Sequence, residues 1–559
     1  EQLGTLLSDT DKEIAQAALS ALGKIGGREA AKLLGQAGSK VDAQLQLAWA
    51  DACMMCADKL LAEGDRKSAV RIYKRMYAAG QPWPIRAAAL RGLVTARPER
   101  AVGTVVGILN GKDEQMQAAA IGLLREIPGP EMVKAVTAEL PKLSVSRQIQ
   151  VLSALGDLGD RSALPAVIDA TKSKEVDVRV AAFGALGELG EASSVDLFAQ
   201  AAATAKGAEQ EAARQGLYRL RGLEADEKIL ASIAQADSKV KVELIRSIGE
   251  RNITAGVETL LKTVLARPAT SGEVRLESWK ALRLVADEKD LPALLIELLT
   301  SPWRAQSETE RSEAENTIAA VARKTADKNR QADKILAALP SVKEPTGRCS
   351  LLRVLGNIGG SDALVVLQKA LEDRNGQVQV TAVRALSDWP SPEPIDSLWK
   401  VAKDSEDEIQ RVLALRGFVR LIGLSDRPAG EKTKMYQEAM ELASNVSEKK
   451  MVLSGLANVK SFTALQMAAD YLGDKLLRQE AEAAVVRITE AVHTSFPAQS
   501  KAVLEQVLQI CENDSLRRKA QELIERIKKI EEEKIKASDV AGAGAKIQLI
   551  GDDFSACRE

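Results

Sequence analysis

One pattern recurs about every 31 to 37 residues along the 559-residue chain: a polar turn, then a helical run that closes on Leu-Gly or a similar pair. Residues 173–190, SKEVDVRVAAFGALGELG, show it most clearly. A unit of this length cannot bury its apolar face alone, so it must stack against its neighbours. The repeat therefore predicts an all-α fold, an α-solenoid of about 15 stacked antiparallel helix pairs.

The composition supports helices and limits the partners. Aromatic residues make up 3% of the chain, and Ala and Leu dominate the apolar positions, as suits closely packed helices. The 77 Lys and Arg residues are balanced by 78 Asp and Glu residues, which disfavours a nucleic-acid partner. No stretch approaches the roughly 18 uninterrupted apolar residues of a membrane span, so membrane insertion is not expected.

A basic residue stands seven positions before an apolar anchor in nine units, as Arg179 does before Leu186. Seven residues make about two helical turns, so both side chains lie near one stripe of the helix. The nine basic residues are Arg86, Arg179, Lys241, Arg275, Arg348, Arg411, Lys450, Arg478 and Arg517. They either join neighbouring units or form a track that binds a ligand.

The units resemble HEAT repeats of the PBS lyase HEAT-like family over residues 3–530. The match is closest in residues 176–190, where Asp177 and Arg179 stand at the family's polar positions. In that family, recurring Asp and Arg residues form a ladder that ties each repeat to the next. The resemblance implies a HEAT/ARM-like superhelix in which Asp177 and the nine basic residues are structural.

The C-terminal part departs from the repeat. The solenoid is expected over residues 1–536, with 514–536 as a charged capping helix that carries a thin apolar stripe. Residues 537–545 are rich in Gly and Ala and predict a linker, and 546–559 are either a tail or the start of a truncated β domain. The chain begins at Glu1 rather than Met, which predicts a missing N-terminal segment with any signal peptide.

This organisation resembles bacterial, planctomycete-type proteins in which a HEAT array precedes a jelly-roll domain of the 3-keto-disaccharide hydrolase-like family. The resemblance implies a catalytic domain beyond Glu559 and a periplasmic or secreted location. The chain would then be an accessory repeat domain of a carbohydrate-active enzyme. Without that resemblance, the expected location is cytoplasmic.

No pattern predicts a catalytic residue, a cofactor or a metal site. Cys53 and Cys56 form a C-x-x-C within a predicted helix over residues 43–62, without a second pair or a nearby histidine, which favours apolar packing over zinc or redox chemistry. His493 is the only histidine, and no nucleophile motif lies near it. Residues 356–360, GNIGG, lack the order of a phosphate loop and predict a turn that ends a helix.

Large aromatic side chains are the best candidates for partner-binding anchors, although packing over helix ends is the alternative. The candidates are Trp83, Trp279, Trp303, Trp389 and Trp399. The leading functional prediction is a non-catalytic protein–protein interaction scaffold, whose concave side is lined by the second helix of each pair and binds a protein or peptide. The accessory enzyme domain is the alternative, and the sequence defines no oligomeric state.

Overall fold

The computed structural model of the chain describes residues 2–38, 41–127, 129–265, 270–300 and 307–533. These residues are mostly α-helical, and none of them lies in a strand. They belong to two compact units that divide between Val285 and Ala286. Among the helices described, none combines the length and the apolar character needed to cross a membrane.

The helices of the first unit are α1 (Gln2–Leu6), α2 (Lys12–Ile25), α3 (Gly27–Ala37), α4 (Gln46–Ala62), α5 (Arg66–Met76), α6 (Trp83–Ala96), α7 (Pro98–Leu109), α8 (Glu114–Leu123), α9 (Pro130–Glu139), α10 (Val145–Leu158), α11 (Leu164–Ala170), α12 (Val176–Leu189), α13 (Val195–Thr204), α14 (Gly207–Arg219), α15 (Leu223–Ile233), α16 (Ser238–Glu250), α17 (Val257–Leu265) and α18 (Gly272–Val285).

The helices of the second unit are α19 (Leu291–Thr300), α20 (Glu308–Ala322), α21 (Asp333–Ala338), α22 (Pro345–Ile358), α23 (Ser361–Ala370), α24 (Gly376–Ser387), α25 (Ile395–Asp404), α26 (Glu408–Leu424), α27 (Ala429–Leu442), α28 (Val446–Leu456), α29 (Phe462–Ala469), α30 (Arg478–Val492), α31 (Pro497–Ile510) and α32, which is described over residues 514–533.

The helices alternate between two layers, and we call the odd-numbered ones first helices and the even-numbered ones second helices. Each second helix packs against the second helix of the next pair, from α2 to α18 in one unit and from α20 to α30 in the other. First helices pack on the second helix of their own pair, as α13 does on α14 and α25 on α26. The predicted α-solenoid is confirmed, with a number of pairs close to the expected one.

Glycines allow neighbouring second helices to approach closely. A Cβ atom added to Gly187 would lie 3.0 Å from the Cα atom of Gly216, and one added to Gly156 would lie 3.1 Å from the Cα atom of Ala185. Gly156 and Gly187 lie inside their helices. The Leu-Gly pair that closes the run over residues 173–190 ends the helix as predicted, because α12 ends at Leu189 and Gly190 is its C-cap. In GNIGG, α22 continues past Gly356 to Ile358, and the following two glycines carry the positive φ angles of 81° and 93°.

The apolar anchors form the core between the two layers. Leu186, Leu282 and Leu355 are all 0% exposed. In α32, Ala520, Leu523 and Ile527 are buried, and charged residues cover the rest of the helix. Residues 534–536 of the predicted cap, the predicted linker and the 546–559 segment lie outside the described residues.

Candidate interaction surface on the second helices

In seven of the nine cases the basic residue that precedes the anchor is the fourth residue of its second helix. The exceptions are Lys450, the fifth residue of α28, and Arg478, the first residue of α30. In α12, Arg179 donates from Nε and Nη2 to the two carboxylate oxygens of Glu209 in α14, at 2.7 and 2.6 Å. Its Nη1 atom donates to the Ser173 carbonyl at 2.8 Å, in the turn before its own helix. One guanidinium therefore fixes a turn within its own pair and joins that pair to the next.

Arg86 in α6 repeats this arrangement. Its Nη1 atom pairs with Asp113 at 2.7 Å, and its Nε atom donates to the Tyr77 carbonyl at 3.4 Å. Asp113 is itself fixed, because it caps α8 by accepting from the Met116 backbone N–H at 3.1 Å. The backbone hydrogen bond and the Arg86 guanidinium both lower the pKa of the Asp113 carboxyl group.

The other predicted ladder residues divide into three groups. Arg348 pairs with Asp373, and Lys450 pairs with Glu480 at 3.1 Å. Both basic side chains therefore reach the next helix pair. A second group binds backbone carbonyls of the preceding turn or helix end: Arg275 donates to Thr270, Arg478 to Leu472, and Arg517 to Leu508 and Cys511. A third group forms no side-chain hydrogen bond or ion pair with any described residue: Asp177, Lys241 and Arg411.

Glutamines take the same fourth position in several of the other second helices. Their Nε2 atoms donate to carbonyls of the preceding turn or helix end over 2.7 to 2.9 Å, as Arg179 Nη1 does. These residues are Gln117, Gln148, Gln210 and Gln379. A search restricted to basic residues misses them. The signal is nevertheless in the sequence, because each stands seven positions before a buried leucine.

A second line of charges crosses α14, α16 and α18. Arg214 donates to both carboxylate oxygens of Glu243, at 2.8 and 2.7 Å. Arg246 binds Glu243 at 2.8 Å and Glu277 at 3.1 Å, and Lys280 lies 3.4 Å from Glu277. We call these five residues the charge network.

At the centre of the charge network, two arginines compensate the burial of the Glu243 carboxylate. Glu243 is 5% exposed, and burial alone would raise the pKa of its carboxyl group. The hydrogen bond from Arg214 and the positive charge of Arg246 outweigh that burial and lower the pKa. Glu243 is therefore held as a carboxylate between two guanidinium groups.

The second unit has a groove of about 570 Å³ across the second helices α20, α22 and α24. Glu315 and Arg353 lie in it and form a two-point ion pair, with both hydrogen bonds at 2.7 Å. Asn357 donates from Nδ2 to Asn316 Oδ1 at 3.2 Å across the same two helices. The groove lining is therefore polar and partly fixed by contacts between repeats.

Arg353, Arg384 and Arg416 are the ninth residues of α22, α24 and α26, and we call them the arginine row. Arg353 is held by Glu315, whose side chain is 5% exposed. Arg384 and Arg416 are exposed, and neither forms an ion pair or a side-chain hydrogen bond with the residues that the structure describes. Two cations on this face are therefore not used in contacts between repeats.

The tryptophans proposed as partner anchors occupy different environments. Trp279 is 0% exposed and Trp389 is 3% exposed, so both side chains belong to the core. Trp399 is half-buried on the first helix α25, with its ring 4.7 Å from that of Phe418. Trp83, at the start of α6, is 49% exposed, and Trp303 lies outside the described residues.

The cysteine pair and the histidine are not among the residues that line the groove. Cys53 and Cys56 are buried in α4, and burial raises the pKa of the Cys53 thiol to about 12. His493 is half-buried at the end of α30, where Nδ1 lies 3.1 Å from the carbonyls of Thr489 and Glu490. Within the described ranges, no group of three or more His, Cys, Asp and Glu residues is arranged to hold a metal ion.

The sequence profile of the family described as HEAT repeats matches residues 140–217 and 332–416. The first match spans α10 to α13 and most of α14, and the second includes the whole of α22 to α25. The predicted resemblance to HEAT repeats is confirmed for these two segments. No curated protein matches the chain in a sequence comparison.

Several solved structures are similar to this one at low sequence identity. The crystal structure of Kap121p bound to Pho4p has a TM-score of 0.41 and 12% identity, with 95% of this chain and 57% of that chain covered. That of Kap121p bound to RanGTP has a TM-score of 0.41, 13% identity and coverages of 95% and 56%. The structure of Kap95p with RanGDP has a TM-score of 0.33 and 14% identity, with 94% of this chain and 78% of that chain covered. The chain thus spans just over half the length of Kap121p.

Proposed function

We propose that this protein is a non-catalytic scaffold that binds a protein or peptide along the concave surface formed by its second helices. The observation that carries the proposal is the groove across α20, α22 and α24. This groove lies on the second helices, which stack from repeat to repeat. Its wall is therefore rigid and is built from several helix pairs.

The chemistry of the groove suits a polypeptide. Its wall presents amide and hydroxyl groups from Ser312, Asn357 and Gln377, which can both donate to and accept from a peptide backbone. Charged residues of both signs, such as Glu308 and Arg311, stand beside them. Such a surface recognises a partner by shape, hydrogen bonds and charge together.

The described lining of the groove contains neither cysteine nor histidine. Cys53, Cys56 and His493 do not line it, so the described lining has no thiol or imidazole to act as nucleophile or base. Its strongest charge contact, between Glu315 and Arg353, joins α20 to α22 and serves stacking. The proposal therefore assigns the groove to binding alone.

Photo-crosslinking from a defined position tests the proposal. A photoreactive phenylalanine analogue is placed at Gln377, which is exposed in the groove, and at Val365, which is 62% exposed on the first helix α23. The full chain is irradiated in an extract of its own cells. We expect discrete protein adducts from position 377 only. The absence of adducts at 377, or equal adducts at both positions, would overturn the proposal.

A further inference from the structure

We propose that the arginine row docks an acidic segment of a protein partner, an inference that rests on the function proposed above and names the partner's chemistry. Arg353 and Arg384 line the groove, and Arg416 continues the row onto α26. Carboxylate side chains of the partner would pair with Arg384 and Arg416. Arg384 and Arg416 form an interaction surface rather than a contact between repeats, and Arg353 extends that surface while it is held by Glu315.

The first argument is the contrast in pairing. In the charge network, Arg214 and Arg246 are hydrogen-bonded to glutamates of neighbouring helices. Arg384 and Arg416 are, like Arg246, the ninth residues of stacked second helices, yet they pair with no described residue. Their guanidinium groups keep all five N–H donors available for a ligand.

The second argument is that the guanidinium group of Arg353 is already fixed in position. Its Nε and Nη2 atoms bind Glu315, and Nη2 also reaches the Ser350 hydroxyl oxygen at 3.2 Å. No described residue accepts a hydrogen bond from its Nη1 atom. The guanidinium is therefore held in place with one nitrogen open, which reduces the entropy cost of binding a ligand there.

The third argument is the spacing of the row. The three arginines are equivalent residues of consecutive packed helices, and packed helix axes lie roughly 8–10 Å apart. A segment in the polyproline II conformation rises about 3.1 Å per residue with three residues per turn, so every third side chain lies on one face and these side chains are about 9 Å apart. A polyproline II segment with a carboxylate at every third residue therefore matches the row.

The surroundings favour a protein segment over a nucleic acid. Glu308, Glu315 and Asp388 also line the groove and would repel a continuous phosphate backbone. Asn357 and Thr381 beside them offer hydrogen bonds that suit peptide groups. A peptide with widely spaced carboxylates can pair with the arginines and avoid the acidic residues. A nucleic acid carries a phosphate at every nucleotide and cannot avoid them.

The test is a selection from a displayed library of random 12-residue peptides on the full chain. Wild type is compared with R384E/R416E, which reverses the two unpaired cations. The matched control is K369E/K403E, which makes the same charge change at two exposed residues of the first helices α23 and α25 that pair with no described residue. A fluorescent single-stranded DNA is titrated in parallel.

We expect wild type and K369E/K403E to enrich peptides with Asp or Glu at every third position. R384E/R416E should bind those peptides at least about tenfold more weakly, because each former ion pair becomes a like-charge contact. Three results would overturn the inference: selected peptides without acidic enrichment, acidic peptides that bind R384E/R416E equally well, or tight DNA binding that the double variant abolishes. If position 377 still crosslinks to a protein, the first two outcomes leave the proposed scaffold function intact.

Discussion

Arginines on the second helices are ion-paired in one region of the molecule and lack a described partner in another. Across α14, α16 and α18, Arg214 and Arg246 are paired with buried or half-buried glutamates of neighbouring helices. Across α24 and α26, Arg384 and Arg416 have no such partner among the described residues. The backbone arrangement is the same, so an arginine on this face is not by itself a structural residue.

What the two regions share shows what the stack requires. Both bury a leucine anchor, Leu217 in α14 and Leu386 in α24, and in these two helices the fourth residue is a glutamine. Both also bring small residues together where second helices cross. Stacking across α24 and α26 therefore does without paired charges and uses core packing with polar contacts, such as the hydrogen bond from Gln410 Nε2 to Gln379 Oε1 at 2.8 Å.

The largest effect is expected where the two regions are alike. Leu217→Ala and Leu386→Ala each remove a side chain that is 0% exposed, and each should destabilise its region by about 2 to 5 kcal/mol. Urea unfolding monitored by circular dichroism measures both. A loss in only one region would show that the cores are not equivalent and would break the comparison.

The next effect should separate the regions. Glu243→Gln leaves Arg214 and Arg246 without their shared carboxylate, and we expect a loss of about 1 to 3 kcal/mol, since hydrogen bonds to charged groups are involved. Asp388→Asn is the control, because Asp388 is exposed and should change stability by no more than about 0.5 kcal/mol. Equal losses in urea unfolding would contradict a structural role for the charge network.

The same contrast predicts a pH dependence. Because the folded-state pKa of Glu243 is lowered, its contribution to stability is present above the unfolded pKa and is lost as the pH falls through the folded pKa. Wild type should therefore lose more stability than Glu243→Gln between neutral pH and the acidic range in which carboxylates titrate. Parallel pH profiles of the urea midpoint for the two proteins would refute this.

A smaller effect is expected at the fourth-residue glutamines. Gln210→Ala removes a donor to a carbonyl of the preceding helix end and should cost about 1 kcal/mol. Gln379→Ala removes the same kind of donor and also the acceptor of a hydrogen bond from Gln410, so it should cost at least as much. Gln377→Ala is the control on the same helix as Gln379, because its side chain is exposed. If the control variant unfolds as early as Gln379→Ala in urea, the turn-fixing role is wrong.

The smallest effect on stability should come from the arginine row. R384E/R416E should change the free energy of unfolding by less than about 0.5 kcal/mol, because these exposed side chains contact no described acidic residue. A fall in the urea midpoint comparable with that of Glu243→Gln would mean that the two regions use their arginines in the same way.

The sequence predicted the stack because its period and its anchors are local. It also located Arg86 and Arg179, since a fixed spacing of seven residues places them on one helical stripe. The sequence did not reveal the charge network, because ion pairs such as that of Arg214 and Glu243 depend on the register between helices of different helix pairs. A spacing of about 30 residues between opposite charges was the only signal.

The groove and the state of Trp279 were not accessible from the sequence either. Trp279 is fully buried, although its sequence neighbourhood looks like that of an exposed helical residue, with Glu277 and Lys280 beside it. Arg384 and Arg416 have the same residue type as Arg214 and Arg246 of the charge network, and they differ in having no ion-pair partner among the described residues. That difference depends on side chains from adjacent repeats, so only the three-dimensional arrangement shows it.

The central claim is that Arg384 and Arg416 serve binding and not stacking. The most direct measurement is the thermal unfolding midpoint of wild type and R384E/R416E, each with and without a peptide that carries glutamate at every third residue. We predict equal midpoints without peptide, and a rise of about 1 to 3 °C with peptide for wild type alone. A lower midpoint for the double variant without peptide, or the same rise in both proteins, would contradict the claim.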